Sequence, residues 1–348
     1  MAFDDTRLDD PDALASVDDD LRAVAGWGAE VRRADLAAAD ARATVIESLA
    51  PRPRAVVAAG PDGRLLRTVL EPVCPVPFVA WPHAGLPGWA GPLDLVVVLS
   101  TTGEGSPDDE ATVAEAVRRG CDLLVTCPEG STLAQACAGR GVLMPAGSSD
   151  ALALSVPLLA TLHSLGLGPE VSVEPVAAAL DAVAAACGPA VTVDANPAKE
   201  LALALADRVP VLWGGSPLAG RAARRVTERL RAATGVPAVA GSPDQLEPLL
   251  LAAPEEDLFA DPFPDDGADR PATPVLVILD DGATDDAVRT ARARLEAAAE
   301  ARGVRIYPVT ADHGSDVARF ASLLAIGRFA ATYLALGQGV ARATRASR

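Results

Sequence analysis

The 348 residues are half hydrophobic but only 3% aromatic, and 47 acidic against 30 basic side chains leave a formal charge of −17. Such a chain can bury a sizeable core behind small-faced, closely packed helices, and it repels nucleic acid and anionic lipid at long range. A local anion pocket made of backbone N–H groups, which carry no formal charge, is still allowed.

The opening MAFDDTRLDDPDAL is acidic and lacks an apolar h-region, so no signal peptide is read there. No apolar run approaches the ~18 residues of a membrane span, and no membrane partner is expected. The five cysteines, Cys74, Cys121, Cys127, Cys137 and Cys187, are odd in number and form no CxxC. They indicate neither a disulfide framework nor a zinc site. A cytoplasmic, reduced protein with no metal and no cofactor is expected, its cysteines buried as small hydrophobes.

In chain order, residues 1–50 read as an N-terminal helical segment, with Leu14, Val17, Leu21, Val24, Val31 and Leu36 at roughly helical spacing and Asp12 near a helix start. Pro51 and Pro53 break that pattern, and the period changes. Arg54–Gly60, Pro77–Trp81, Asp94–Ser100, Cys121–Pro128 and Gly141–Gly147 read as strands. Helices are expected over Asp108–Arg119, Ser131–Gly139 and Asp150–Leu167. The continuous apolar run of Asp94–Ser100 suits a central parallel strand. Residues 169–195 read as a linking helix, and Asn196 followed by Pro197 is a strong helix start. Strand and helix then alternate again, with strands at Val209–Gly215, near Val236, over Pro274–Asp281 and over Val304–Val309. Residues 254–274 form an acidic, proline-rich loop. The expectation is therefore an α/β protein with two similar parallel-sheet domains, 51–168 and 196–348, matched in element order rather than in letters.

In an open parallel sheet, ligands sit beyond the carboxyl ends of the strands. The turn LSTTGEGS there offers the hydroxyls of Ser100, Thr101, Thr102 and Ser106, with Gly103 and Gly105 allowing close backbone approach, ahead of a helix start. Two readings stand: a cradle for a phosphate monoester, or a tight strand–helix turn that uses these residues for capping alone. The turn is neither a Walker A loop nor GxGxxG, and Glu104 would repel a dianion unless turned outward. Ser131, in CPEGSTL, caps the next helix and borders the same place. In the second half WGGSPLAGRAARR is read as the counterpart turn, with Arg221, Arg224 and Arg225 as a solvated helix face. Catalytic constellations are scarce: His163 sits in an apolar helix as a packing residue, His83 in a loop, and His313 before the last helix. Lys199, the sole lysine, follows a Pro-Ala helix start where a structural role is expected.

A Ser/Thr/Gly turn after a buried strand, duplicated over two α/β domains, resembles the sugar isomerase (SIS) fold. NPAKELALALADRVPVLWG (Asn196–Gly214) and RFAATYLALGQGV (Arg328–Val340) resemble the second SIS domain of the bifunctional phosphoglucose/phosphomannose isomerases, most closely their divergent actinobacterial, TobH-like members. The resemblance implies two doubly wound, flavodoxin-like SIS domains in tandem after the N-terminal helical segment. It also implies a sugar-phosphate ligand, held at Ser100, Thr101, Thr102, Gly103, Ser106 and Ser131, and a homodimer. The family's chemistry needs a carboxylate base for the C1/C2 proton, an acid/base for ring opening and cationic stabilisation of the enediolate. The family's arginine falls near Asp150, its glutamate near Ala232, and its histidine motif on SPDQLEPLL, which has no histidine. Its C-terminal lysine falls beyond ARATRASR. Glu228 and Glu247 are the candidate substitute bases. The expectation is a sugar-phosphate-binding protein that has lost isomerase chemistry. An active aldose–ketose isomerase with relocated groups and a structural subunit with an empty pocket are the alternatives.

Overall fold

The computed structural model describes residues 3–49, 52–60, 62–101, 106–254 and 273–340. Thr102, Gly103, Glu104 and Gly105, and 255–272 of the acidic loop, lie outside them. The chain divides into two units, one of Gly26–Asp181 and one that joins Met1–Ala25 to Ala182–Arg348.

A 3-10 turn over Asp5–Leu8 leads into α1 (Pro11–Ala15) and α2 (Asp18–Ala25). Asp10 caps α1 by accepting the N–H groups of Asp12 and Ala13, with Pro11 at the first helical position.

The unit Gly26–Asp181 begins with the 22-residue helix α3 (Trp27–Ser48). Then follow β1 (Val56–Ala59), α4 (Gly63–Leu70), β2 (Phe78–Trp81), β3 (Leu95–Leu99), α5 (Pro107–Arg119), β4 (Asp122–Cys127), α6 (Thr132–Cys137), β5 (Val142–Pro145) and α7 (Ala151–Ser164). The strands form one parallel sheet in the order β2-β1-β3-β4-β5. Every residue of β1 and β3 is buried, as strands covered on both faces require. On one face Val57, Val96, Val98, Leu123 and Val125 pack with Val113 and Ala116 of α5 and Leu133 of α6. At the amino end, the wholly buried Asp94 accepts from Arg54 Nε (3.0 Å) and Nη2 (2.5 Å) and from the Gly91 N–H (2.8 Å). That clasp ties the starts of β1 and β3 and satisfies both oxygens of a buried carboxylate.

Helix α8 (Val173–Cys187) leads into the other unit, followed by α9 (Pro197–Leu205), β6 (Val209–Gly214), α10 (Pro217–Thr234), β7 (Val239–Ala240), α11 (Pro243–Leu251), β8 (Pro274–Asp280), α12 (Asp286–Glu300), β9 (Arg305–Thr310) and α13 (Asp316–Gly337). Its sheet is parallel in the order β7-β6-β8-β9, with Val211, Trp213, Leu276 and Ile278 packed on Leu246, Leu250 and Leu295. Helix α13 is long and apolar enough to cross a membrane, with a mean hydropathy of 1.5, but 89% of that stretch is buried.

The two strand orders superpose element for element, β6 on β1, β7 on β2, β8 on β3 and β9 on β4. The α/β class and the expected duplication of order are thus both present. The equivalence also corrects one sequence reading. The turn after β6, Gly214–Pro217, corresponds to the turn after β1, not to Ser100–Ser106. The counterpart of Ser100–Ser106 is the acidic turn Asp281–Asp285 after β8.

Two helices escaped the sequence reading. Helix α4 starts at Gly63, right after Asp62, and α11 carries Pro248 inside it. Pro248 breaks the pattern of α11, whereas α4 has a clear apolar face, with Leu65, Leu66, Val69 and Leu70 buried.

Lys199 has the structural role expected of it. Asn196 caps α9 through Oδ1, accepting the N–H groups of Ala198 (3.0 Å) and Lys199 (3.1 Å). The Lys199 side chain is fully buried. Its Nζ donates to Asp9 Oδ1 (2.7 Å) and to the carbonyls of Pro189 (3.0 Å) and Val191 (2.7 Å), and stands 5.5 Å from the Tyr333 ring centroid. All three ammonium protons have a partner.

Candidate functional site

In the sheet of Gly26–Asp181 the chain moves from β1 outward to β2, then back across to β3. The crevice at that switch point, between the turns after β1 and β3, is where open α/β sheets bind ligands. Gly60 ends β1 at φ +83°, and its N–H donates to the Trp81 carbonyl (3.1 Å). A Cβ at Gly60 would lie 2.7 Å from Asp109 Oδ1, so only glycine fits.

Ser100 extends β3 by one residue. It is 2% exposed, and its N–H donates to the Thr126 carbonyl (2.9 Å). Thr101 Oγ1 donates across the crevice to Asp62 Oδ2 (3.4 Å), bridging the two turns. Thr102 and Gly103 lie outside the described residues. Ser106 is the N-cap of α5: its Oγ accepts the Asp109 N–H (3.1 Å), and the Asp109 carboxylate accepts the Ser106 N–H (3.4 Å). That reciprocal box uses up most of the first turn. Pro107 has no N–H and Glu110 N–H goes to the Ser106 carbonyl, which leaves Asp108 N–H as the first-turn donor without a partner among the described residues.

Ser131 caps α6, accepting the Ala134 N–H (3.1 Å) while its hydroxyl donates to Cys127 Sγ (3.4 Å). Burial pushes the Cys127 thiol up, the Ser131 hydroxyl draws it back, and the Asp109 charge raises it again. A thiol held neutral in this way is no nucleophile.

The structure thus brings Ser100, Thr101 and Ser106 to one turn and sets Ser131 at the turn of the adjacent strand. It adds residues that the sequence reading passed over. Asp109 (4% exposed) and Thr126 (2% exposed) each bury a side-chain oxygen, Oδ1 and Oγ1, with no hydrogen-bond partner among the described residues. Trp81 Nε1 at the end of β2 is a third such atom. Buried polar atoms are normally paired. Trp81 packs on the same face of the sheet as Val125 and Cys127, whereas Thr126 alternates with them onto the opposite face; Asp109 Oδ1 stands against Gly60 at the end of β1. The one sequence signal was position, since Trp81 and Thr126 fall at strand ends and Asp109 at a helix start.

The positions tied to isomerase chemistry are otherwise engaged. Asp150, where the resemblance calls for arginine, caps α7 by accepting the N–H groups of Leu152 (2.9 Å) and Ala153 (3.1 Å). Ala232 lies exposed near the end of α10. Glu228 pairs with Arg225 (3.8 Å), and Glu247 accepts from Arg294 Nε (2.6 Å). His313 is 98% exposed beside Asp312 (3.6 Å), and the His83 ring meets Trp81 edge-on at 5.2 Å. His163 is exposed rather than packed, its Nδ1 within 3.1 Å of the Gly168 carbonyl. It lies in the last turn of α7, beside the exposed Ser164.

Residues 194–343, somewhat under half of the chain, match the family model of the bacterial phospho-glucose isomerase C-terminal SIS domain. No curated protein matches the sequence. Solved structures do. Tagatose-6-phosphate ketose/aldose isomerase from Escherichia coli aligns over 93% of this chain and 94% of its own, at 16% identity and a TM-score of 0.66. The C-terminal domain of glucosamine-fructose-6-phosphate aminotransferase from Francisella tularensis aligns over 92% and 96%, at 14% identity and a TM-score of 0.61. Glucosamine-6-phosphate deaminase from Thermotoga maritima aligns over 90% and 93%, at 11% identity and a TM-score of 0.51. The chain therefore has the α/β fold of the phosphosugar isomerases, with its second sheet lying in the stretch that matches the phosphoglucose isomerase SIS domain.

Proposed function

We propose that this chain binds a hexose phosphate in the crevice between the turns after β1 and β3 and has lost isomerase chemistry, acting as a binding or regulatory protein of hexose phosphate metabolism. The observation that carries the reading is the bridged crevice itself, with Thr101 on Asp62 and the buried Asp109 Oδ1, against Gly60 at the end of β1, left unpaired among the described residues. Ser100, Thr101, Thr102, Gly103, Ser106 and Ser131 are assigned to the ligand. Because α5 is largely self-capped, Asp108 N–H is the first-turn amide left for the phosphate, and no basic side chain is among the residues assigned to it. The likeness to proteins whose names carry tagatose-6-phosphate, fructose-6-phosphate and glucosamine-6-phosphate supports the ligand class. The capping role of Asp150 and the ion pair of Glu247 support the loss of chemistry, since neither group is free to move a proton. We place the chain in the TobH-like branch, as a homodimer. Its five free cysteines fit a reduced cytoplasmic compartment.

The test is a melting series with fructose 6-phosphate, mannose 6-phosphate and glucose 6-phosphate beside a coupled isomerase assay. A ligand that binds only the folded state raises the midpoint. A rise with one of them and no turnover is expected. No rise with any ligand refutes binding, and turnover that survives stringent purification refutes the loss of chemistry. Light scattering behind gel filtration should give twice the mass of the chain; a clean monomer at micromolar concentration refutes the dimer.

A further inference from the structure

The unit that carries β6–β9 has a cavity of its own, about 380 Å³, over the carboxyl end of β6. It is formed by the turn after β6, the start of α11 after β7 and the start of α12 after β8, and Trp213, Gly220, Arg224, Ser242 and Asp285 contribute to its walls. Small-molecule sites commonly measure about 300–1,000 Å³. By position the cavity is the second sheet's counterpart of the crevice described above, since the turns after β6 and β8 correspond to those after β1 and β3, but its side chains are its own. It does not depend on the reading of that crevice.

Arg224 is the telling side chain. Its neighbours on α10 are engaged: Arg225 pairs with Glu228 (3.8 Å) and Arg231 donates to the Ala238 carbonyl (2.8 Å). Arg224 has no ion pair or hydrogen bond among the described residues. Gly220, one turn earlier on the same helix face, leaves the approach to the guanidinium open. A planar fork of N–H donors is suited to bind two oxygens of a phosphate at once.

The rest of the lining is chemically different. Asp285 caps α12 with Oδ1 on the Val288 N–H (3.2 Å) and keeps further acceptor capacity, and Trp213 is an apolar wall. The Ser242 N–H is taken by Gln245 Oε1 (3.0 Å), so Ser242 offers its hydroxyl rather than its amide. A cation, an acceptor and an aromatic residue lining one cavity suit a molecule with one anionic group and one or more hydroxyls. We propose that this cavity is a second binding site, for a small phosphorylated polyol or sugar, with Arg224 on the phosphate and Asp285 on a hydroxyl.

Amide hydrogen exchange on the full chain reads both places in one experiment, with inorganic phosphate and with glucose 6-phosphate as probes. Slower exchange is expected in peptides covering Gly214–Gly220 and Gly241–Gln245, stronger with the sugar phosphate than with phosphate alone. Arg224→Glu should weaken the apparent affinity there by about tenfold or more, and Arg224→Lys by less. Because Arg224 is exposed and unpaired among the described residues, the ligand-free melting midpoint and exchange pattern of Arg224→Glu should match wild type. The proposal is overturned if wild type shows no protection at those peptides, or if Arg224→Glu is protected as wild type is. Protection confined to peptides around Ser100–Thr112 overturns this site while leaving the first, and protection confined to Gly214–Gln245 does the reverse.

Discussion

Replacing Lys199 by methionine keeps the buried stem but removes the ammonium that joins Asp9 to the carbonyls of Pro189 and Val191 at 2.7–3.0 Å. Breaking one partner of a buried ion pair costs about 3–5 kcal/mol. The lower end applies here, about 3 kcal/mol, because the Asp9 side chain is 47% exposed and water can solvate it once Lys199 is gone. For a body of this size that is a fall of about 6–12 °C in the melting midpoint. The assay is urea unfolding followed by circular dichroism across a pH series. The Lys199 hydrogen bond holds the Asp9 carboxyl below its ordinary value, against the opposing effect of burial. A depressed folded pKa contributes stability that is fully present above the unfolded value, about 4, and is lost as the pH falls through the folded one. The gap between wild type and variant should therefore be constant near neutrality and narrow in acid. A loss under about 1 kcal/mol, or a gap that does not narrow at low pH, refutes the reasoning.

Three more outcomes follow from the same structure. Of the five cysteines only Cys74 is not buried, and burial pushes Cys137 up to about 11 and Cys187 up to about 12. A thiol reagent at neutral pH should label one cysteine in the native protein and five in denaturant; rapid labelling of more than one refutes the burial. Both tyrosines are raised, Tyr307 to about 12 by burial and then by Glu200, and Tyr333 by burial above all. Raised folded values contribute stability up to the unfolded pKa near 10, which is lost as the pH rises further, so native absorbance at 295 nm should stay flat to about pH 11. A tyrosine that titrates near 10 in the folded protein would contradict this. Ser106→Ala should cost about 1 kcal/mol through the lost cap and also weaken hexose phosphate binding. Loss of stability with unchanged binding would leave Ser106 a capping residue alone.

Local pattern determined most of the architecture. The unbroken apolar run of β3, the Asn196-Pro197 start of α9 and the alternation of strand and helix are all set by neighbours within a few residues, so the class and the repeated order are legible in the chain. The short α11 was not, because Pro248 inside it removes more information than so short a period carries, while α4 shows a buried apolar face over only eight residues. The site depended on more. Which turns face each other follows from strand order, and strand order comes from pairing between segments far apart in sequence. Thr101 meets Asp62 across 39 residues, and Lys199 meets Asp9 across 190. The unpaired oxygens of Asp109 and Thr126, the true counterpart of Ser100–Ser106 and the cavity at Arg224 exist only once both sheets are assembled. Burial and enclosure are properties of the assembled chain, and no stretch of letters contains them.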